Sequence, residues 1–241
     1  AREMIGLAAR AEENMRALRG QVSGRVVIGC TPASAEHLLA PVLSAFCKRY
    51  TAISVTVTMA PHEALVEWLG AQQIQVLVAE EAFRRRGWES QLLGVERLVL
   101  LAPRGHELLQ HDRVPPGMLR GVPLVLPRSG TPLRRTIDDG LRRRGVGTAD
   151  VHAVLETDGS ALMLQAVRNG MGLAFVPQSR VPRTRDIGVI DVAGLYLQQE
   201  WHALRVRERA APRAVQELYT FLTGGDSRAL LAKEGLKAQA D

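Results

Sequence analysis

Read as apolar and polar positions, the chain alternates between short runs with a period of two or none and longer stretches in which apolar residues return every three or four. Residues 2–19 predict a helix, with Met4, Ala8, Ala11, Met15 and Leu18 at steps of four, three, four and three, flanked by Arg and Glu. That spacing fits a coiled-coil seam between subunits and equally an amphipathic helix packed on its own domain. Gly20 ends it. Residues 25–30 form a β-branched run, residues 35–50 carry apolar positions at 35, 38, 39, 42, 43 and 46, and residues 53–59 alternate strictly, which together predict a βαβ unit. Ser34 stands at the expected N-cap, Glu36 complements the first turn, and Pro41 kinks or restarts the helix.

A short helix at 63–69 and a nearly all-apolar strand at 74–79 follow; the strand's lack of polar positions predicts parallel pairing with both faces covered. Residues 80–90 are polar and arginine-rich and predict a loop. After an apolar strand at 98–102 and a segment rich in turn residues, the same logic repeats: a strand at 123–126, a turn at 127–132, and a helix with Leu133, Ile137 and Leu141 on one face. Thr131 is its expected cap, Pro132 its first position and Gly145 its close. A strand at 151–155, a cap at Thr157 and Asp158, a helix at 161–168 ended by Asn169-Gly170, and a strand at 173–176 stopped by Pro177 come next. Beyond a less regular stretch, residues 200–206 predict a strand. Pro212 opens an amphipathic helix with Val215, Leu218 and Leu222 inward, and the segment from 226 onward predicts a short helix or a mobile tail.

Composition narrows the class. In 241 residues with 46% hydrophobic content there is room for one large core or two small ones, and with aromatics at 4% that core is built from Val, Leu, Ile and Ala. The net charge of +6 comes from dispersed arginines and short runs at 84–86 and 142–144, which predict solvated faces ahead of a DNA-binding stripe. Cys30 and Cys47 fall on a strand and a helix, both expected to be buried, as reduced packing thiols. With no apolar run long enough to span a bilayer and no signal-peptide order at the N-terminus, the expected location is the cytoplasm, with no membrane partner. The chain opens at Ala1 in what is read as mid-helix, as a piece of something longer would.

Enzyme signatures are missing. The six histidines (His37, His62, His106, His111, His152 and His202) are dispersed, with no H-x-x-x-H spacing or paired carboxylates, so no metal site is expected. There is no P-loop, no CxxC and no G-x-S-x-G; Gly170-x-Gly172 follows a helix rather than a strand and reads as a helix cap with a close backbone approach. No catalytic residue and no cofactor is assigned, although spacing alone leaves open a triad assembled from distant residues. What remains is three strand-to-helix turns rich in hydroxyls, at 31–34, 128–131 and 157–160. In an open parallel sheet such turns gather at the carboxyl ends of the strands, where ligands bind. Unpaired N–H groups and positive helix ends there favour an anion, and Arg128 adds a bidentate fork. The plainer alternative is that Ser34, Thr131 and Asp158 only cap their helices, each by roughly 1 kcal/mol.

Several segments resemble LysR-type effector domains: Gly24-Arg25-Val26-Val27-Ile28-Gly29, then Leu38-Leu39-Ala40-Pro41 and Phe46-Cys47-Lys48-Arg49-Tyr50. Residues 96–106, from Glu96-Arg97-Leu98 to Arg104-Gly105-His106, and the run Val167-Arg168-Asn169-Gly170-Met171-Gly172-Leu173-Ala174-Phe175-Val176-Pro177 extend the likeness over about residues 21–224. The chain departs from the family where a Gly-x-Leu-Asp pattern is usual, having Gln72-Gln73-Ile74-Gln75, and it has Thr51 where Pro is usual after Tyr50.

The resemblance implies an α/β fold of two doubly wound Rossmann-like lobes, of the type 2 periplasmic-binding-protein kind, joined by two crossover strands near 100–103 and 200–206, with a small-molecule effector between them. Lobe I would take residues 21–100 and 205–225, lobe II residues 101–204, with a linker and dimerisation helix at 1–20 and a tail at 226–241. By position, Thr31 and Ser34 match the first effector loop, Arg128, Ser129 and Thr131 the second-lobe loop, and Thr157 a helix start that touches ligand, with Val176 and Pro177 as an apolar wall. The resemblance also favours the seam reading of residues 4–18. It implies an effector-sensing, oligomerising part of a homodimeric or homotetrameric regulator that takes a small-molecule effector, which the helix ends and Arg128 favour as anionic, and reads DNA only through an N-terminal winged helix-turn-helix outside this chain. The alternative is an extracytoplasmic solute-binding protein of the same fold.

Overall fold

The computed structural model of the chain describes residues 22–83, 85–182, 184–207 and 211–237. The expected seam residues Met4, Ala8, Ala11, Met15 and Leu18, and the linker helix with them, lie outside these. In chain order the elements begin with β1 (Gly24–Cys30), a helical turn Pro32–Ser34, a π-helical turn Ala35–Leu39 and α1 (Ala40–Arg49). They continue with β2 (Ile53–Met59), α2 (His62–Gly70), β3 (Val76–Ala79), β4 (Trp88–Pro103), β5 (Pro123–Leu126) and α3 (Pro132–Arg142). The last are β6 (His152–Glu156), α4 (Ser160–Arg168), β7 (Leu173–Pro177), β8 (Ile187–Ile190), β9 (Leu197–Val206), α5 (Arg213–Thr223) and α6 (Gly225–Lys233). The π-helical turn runs up to Pro41, whose missing N–H and bulky ring disfavour regular helix behind it.

The described residues fall into two compact units, one of those up to Leu93 with Trp201–Lys233, the other of Gly94–Glu200 with those from Glu234 on. The chain passes between them inside β4, inside β9 and after α6. The passage in β4 comes earlier than the boundary drawn at residues 100 and 101, because the strand begins at Trp88, in polar sequence. The segment read as a separate tail is divided: α6 buries Ser227 and Leu231 in the first lobe, while Val95 and Lys237 of the second exchange N–H···O bonds of 2.8 Å in each direction.

In the first lobe β1 lies between β2 and β3, parallel to both, and β9 runs antiparallel to β3. All four residues of β3 are buried, as a strand covered on both faces must be. One face packs on α2 through Leu65, Leu69, Ile74, Leu77 and Leu204. Gly29 permits that approach, since a Cβ there would come within 2.3 Å of the Ile74 side chain. Elsewhere in this lobe Phe46 of α1 meets Phe221 of α5 edge-on, ring centroids 5.4 Å apart, and Val215, Leu218 and Leu222 are buried as the periodicity predicts. Cys30 is buried but Cys47 is exposed, a correction to the expectation: it sits one helical step beyond the buried Phe46, which turns it off the core face.

In the second lobe β5 pairs in parallel with β6 and β7, β4 runs antiparallel to β7, and β8 antiparallel to β4. The apolar run of β4 serves both faces in alternation. Leu98 and Leu100 pack toward α3 with Ile137, Leu141 and Phe175, whereas Val99 and Leu101 pack toward α4 with Met163, Val167 and Val176. Each lobe is thus a sheet with a parallel centre and antiparallel strands beside it, packed by helices, in the two-lobed α/β class that the alternation predicts.

Candidate functional site

The first hydroxyl-bearing turn is held together internally. Thr31, and not Ser34, is the N-cap: its Oγ1 accepts from the Ser34 backbone N–H at 3.1 Å. Ser34 lies inside the first turn, fully buried, and its hydroxyl donates to the carbonyl of Val78 in β3 at 2.8 Å. The Thr31 hydroxyl donates in turn to the carboxylate of Glu80 at 2.7 Å, just past the end of β3 and itself buried. The chain's own carboxylate therefore stands beside the helix start where an external anion was expected. A ligand group meeting this turn encounters an acceptor and a negative charge. Burial, and then Glu80, push the Cys30 thiol up to about 11, so it is no nucleophile.

The second turn is built differently. Thr131 caps α3, accepting from the Arg134 N–H at 3.3 Å and donating to the Arg128 carbonyl at 2.8 Å, with Pro132 at the first position as expected. Gly130 adopts φ +85, a conformation open to glycine, and leaves Ser129 exposed at the tip. Beneath the tip Arg134 donates to the Pro127 carbonyl at 3.0 Å, to Glu156 at 2.6 Å and to both oxygens of Asp138 at 3.0 and 3.1 Å. Arg134 and, more weakly, the Ser129 N–H hold the Glu156 carboxyl below the usual carboxylate range.

Because that pKa is depressed on folding, the stabilisation is present above the ordinary carboxylate value and fades as pH falls through the lowered one. Native chain and Glu156→Gln should therefore differ in urea midpoint at about pH 7 and converge only as pH falls through the lowered value, below the ordinary carboxylate range. A gap independent of pH would show that the ion pair contributes nothing.

The third turn joins the second. Arg128 forms an ion pair with Asp158, and the Thr157 N–H donates to the Leu126 carbonyl at 3.0 Å. Thr157 and Asp158 do not cap α4: the cap residue is Gly159, whose N–H donates to Thr157 Oγ1 at 3.2 Å. Val176 is fully buried in the α4-side core and Pro177 is buried beside Leu98 of β4. Gly170 adopts φ +72 after α4, and a Cβ on Gly172 would lie 2.6 Å from the Pro123 carbonyl, which gives the Gly-x-Gly pair the capping and close-approach roles read from sequence.

Glu80 and the Arg134–Glu156–Asp138 network were missed. The i,i+4 spacing of Arg134 and Asp138 was visible in the sequence, and Glu80 directly follows an all-apolar strand, the position at which ligand-facing residues of such sheets lie. Among the described residues no group of three or more His, Cys, Asp or Glu is placed to hold a metal ion, and no helix is long and apolar enough to cross a membrane.

Comparison with known proteins gives one answer throughout. The family model described as LysR substrate binding domain matches residues 19–226, which include all three turns. The HTH-type transcriptional regulator CbbR of Xanthobacter flavus is 25% identical over 227 residues, 92% of this chain and 67% of its own length. Among solved structures, the CcmR regulatory domain of Synechocystis PCC6803 in complex with 2-PG is similar with a TM-score of 0.73 at 19% identity, over 83% of this chain and 96% of that one. The effector binding domain of QuiR in complex with shikimate is similar with a TM-score of 0.73 at 12% identity, over the same shares of the two chains.

Proposed function

Because the chain belongs to the LysR substrate-binding domain family, we propose that it is the effector-sensing and oligomerising part of a LysR-type transcriptional regulator, taking a small anionic metabolite at its hydroxyl-bearing turns. The match over 19–226 carries this reading, and relatives named as transcriptional regulators favour it over a solute-binding protein. The complexes of CcmR with 2-PG and of QuiR with shikimate, a carboxylate, support an anionic ligand. Local chemistry divides the work. Glu80 beside Thr31 calls for a donor such as a ligand hydroxyl. Arg128 receives the anion: its pair with Asp158 leaves its side chain 61% exposed, and such surface pairs are worth about 0–1 kcal/mol, so an incoming carboxylate or phosphate displaces Asp158 at little cost.

Function in the whole regulator follows by population shift, the effector favouring one lobe arrangement and with it one arrangement of the DNA readers. The regulator works in the cytoplasm as a homodimer or homotetramer, with DNA bound by a winged helix-turn-helix outside these residues. The edge strands β2 and β6 leave Val57, Met59 and Val154 exposed, apolar positions suited to self-association.

A thermal-shift screen of the chain against shikimate, citrate and inorganic phosphate tests the ligand class. The stabilising anion should bind at least about tenfold more weakly to Arg128→Gln and more tightly to Asp158→Asn. Equal stabilisation of all three proteins would place the anion elsewhere.

A further inference from the structure

The second lobe holds a groove of about 270 Å³ to which none of the three turns contributes a wall. Its interior is formed by Leu98 and Leu100 of β4, Phe175 of β7, Ile190 of β8 and Leu197 of β9, all on the α3 side of the sheet. The groove is open to solvent on one side, and its floor is the edge of the α3-side core. It lies just under the roughly 300 Å³ at which small-molecule sites begin.

The mouth is polar, with Arg97, Gln178 and Asp191. Asp191 is shared: Arg113 donates to one of its oxygens at 3.3 Å, and Arg97 stands 3.9 Å from the other. One carboxylate thus faces two guanidiniums. Arg97 is held in place by the exposed ring of Tyr196, 5.6 Å from its centroid, and the Tyr196 hydroxyl in turn accepts from Gln198 at 3.0 Å. Other arginines of the lobe are more closely met, Arg134 by Glu156 at 2.6 Å and Arg168 by Asp186 at 2.9 Å. Arg97 therefore combines loose neutralisation, a ring contact with Tyr196 and a groove beside it whose floor carries apolar side chains.

We propose that this groove is a second small-molecule site, for a monocarboxylate with a compact aliphatic or alicyclic body of about six carbons. The carboxylate bridges the Arg97 guanidinium and the Gln178 amide, and the body lies against Leu98, Leu100 and Phe175. Charge and apolar body are both required: an inorganic anion leaves the groove unfilled, and a neutral analogue leaves Arg97 unmet. The site does not depend on the turns being the effector site.

The test is an amide-resolved NMR titration of the whole chain with cyclohexanecarboxylate. The amides of Arg97 and Gln178 and those at 189–197 should shift along one saturable curve, and cyclohexanecarboxamide should bind at least about tenfold more weakly. Arg97→Gln should weaken the acid by a similar factor, and Leu195→Trp, which fills the groove, should abolish the shifts. Should either variant fold poorly, hexanoate competing for the same amides in the unmodified chain answers the question. Equal binding of acid and amide, saturable shifts confined to the three turns, no saturation, or failure of hexanoate to compete would each overturn the proposal.

Discussion

Alanine at position 172 is expected to destabilise the second lobe by about 3 kcal/mol, the upper part of the range for overpacking a closed interior. The added methyl would lie 2.6 Å from the oxygen and 2.9 Å from the carbon of the Pro123 carbonyl, and 3.3 Å from the Leu124 nitrogen. These are backbone atoms of β5, which is paired on one side to β6 and on the other to β7, so no side chain can rotate away to make room. The turn itself would have to lift, and with it Leu173, which pairs with Leu124 at the start of β7. Gly170→Ala is the control. Its φ of +72 is strained for alanine, but nothing lies within 4 Å of the new methyl, so its cost is conformational, about 1–2 kcal/mol. Urea unfolding of both variants, compared at equal m-value, reads the difference; a Gly172→Ala midpoint no lower than that of Gly170→Ala would show that the strand yields.

Ser34→Ala is expected to cost about 2 kcal/mol, since it leaves the Val78 carbonyl without its donor at a position closed to water. Ser129→Ala, at an exposed turn tip, should change stability by no more than about 0.5 kcal/mol. The two serines looked equivalent when each was only a hydroxyl at a helix start; the structure makes one a staple between the first turn and β3 and leaves the other exposed at its turn tip. Denaturant midpoints that fall together would show that the Ser34 hydroxyl contributes no such staple.

The elements readable from sequence were those whose own residues carry the period. β3, with four buried residues, and α5, with its buried stripe, needed no distant partner to be recognised. The first half of β4 did. Residues 88–90 fall in the predicted loop and 91–97 carry no predicted element, yet with Glu89, Ser90, Gln91, Glu96 and Arg97 they extend as strand because their polar groups are met from elsewhere in the chain: Glu89 by Arg205 at 2.9 Å, Glu96 by the Ser179 N–H at 2.8 Å. β8 was lost for a similar reason, being four residues whose strand character comes from pairing with β4. At the site, the turns were legible because each follows an apolar run and carries glycine, proline or hydroxyls. Which hydroxyl caps and which staples was not, since the acceptor of Ser34 lies 44 residues further on. Local sequence gives no sign of such partners. Nor does it show that Glu80 and Asp158 already face the groups, Thr31 and Arg128, that had been assigned to an external anion.

The central claim, that a small anion is received at the Arg128 turns of the second lobe, is tested most directly by an amide-resolved NMR titration with shikimate and with whichever of citrate and phosphate stabilises the chain more. The account predicts that the amides at 128–131 and 157–160 shift together along a single saturable curve, and that Arg128→Gln moves that curve to higher concentration. Shifts confined to 97, 178 and 189–197, or a linear drift spread over surface arginines, would contradict it.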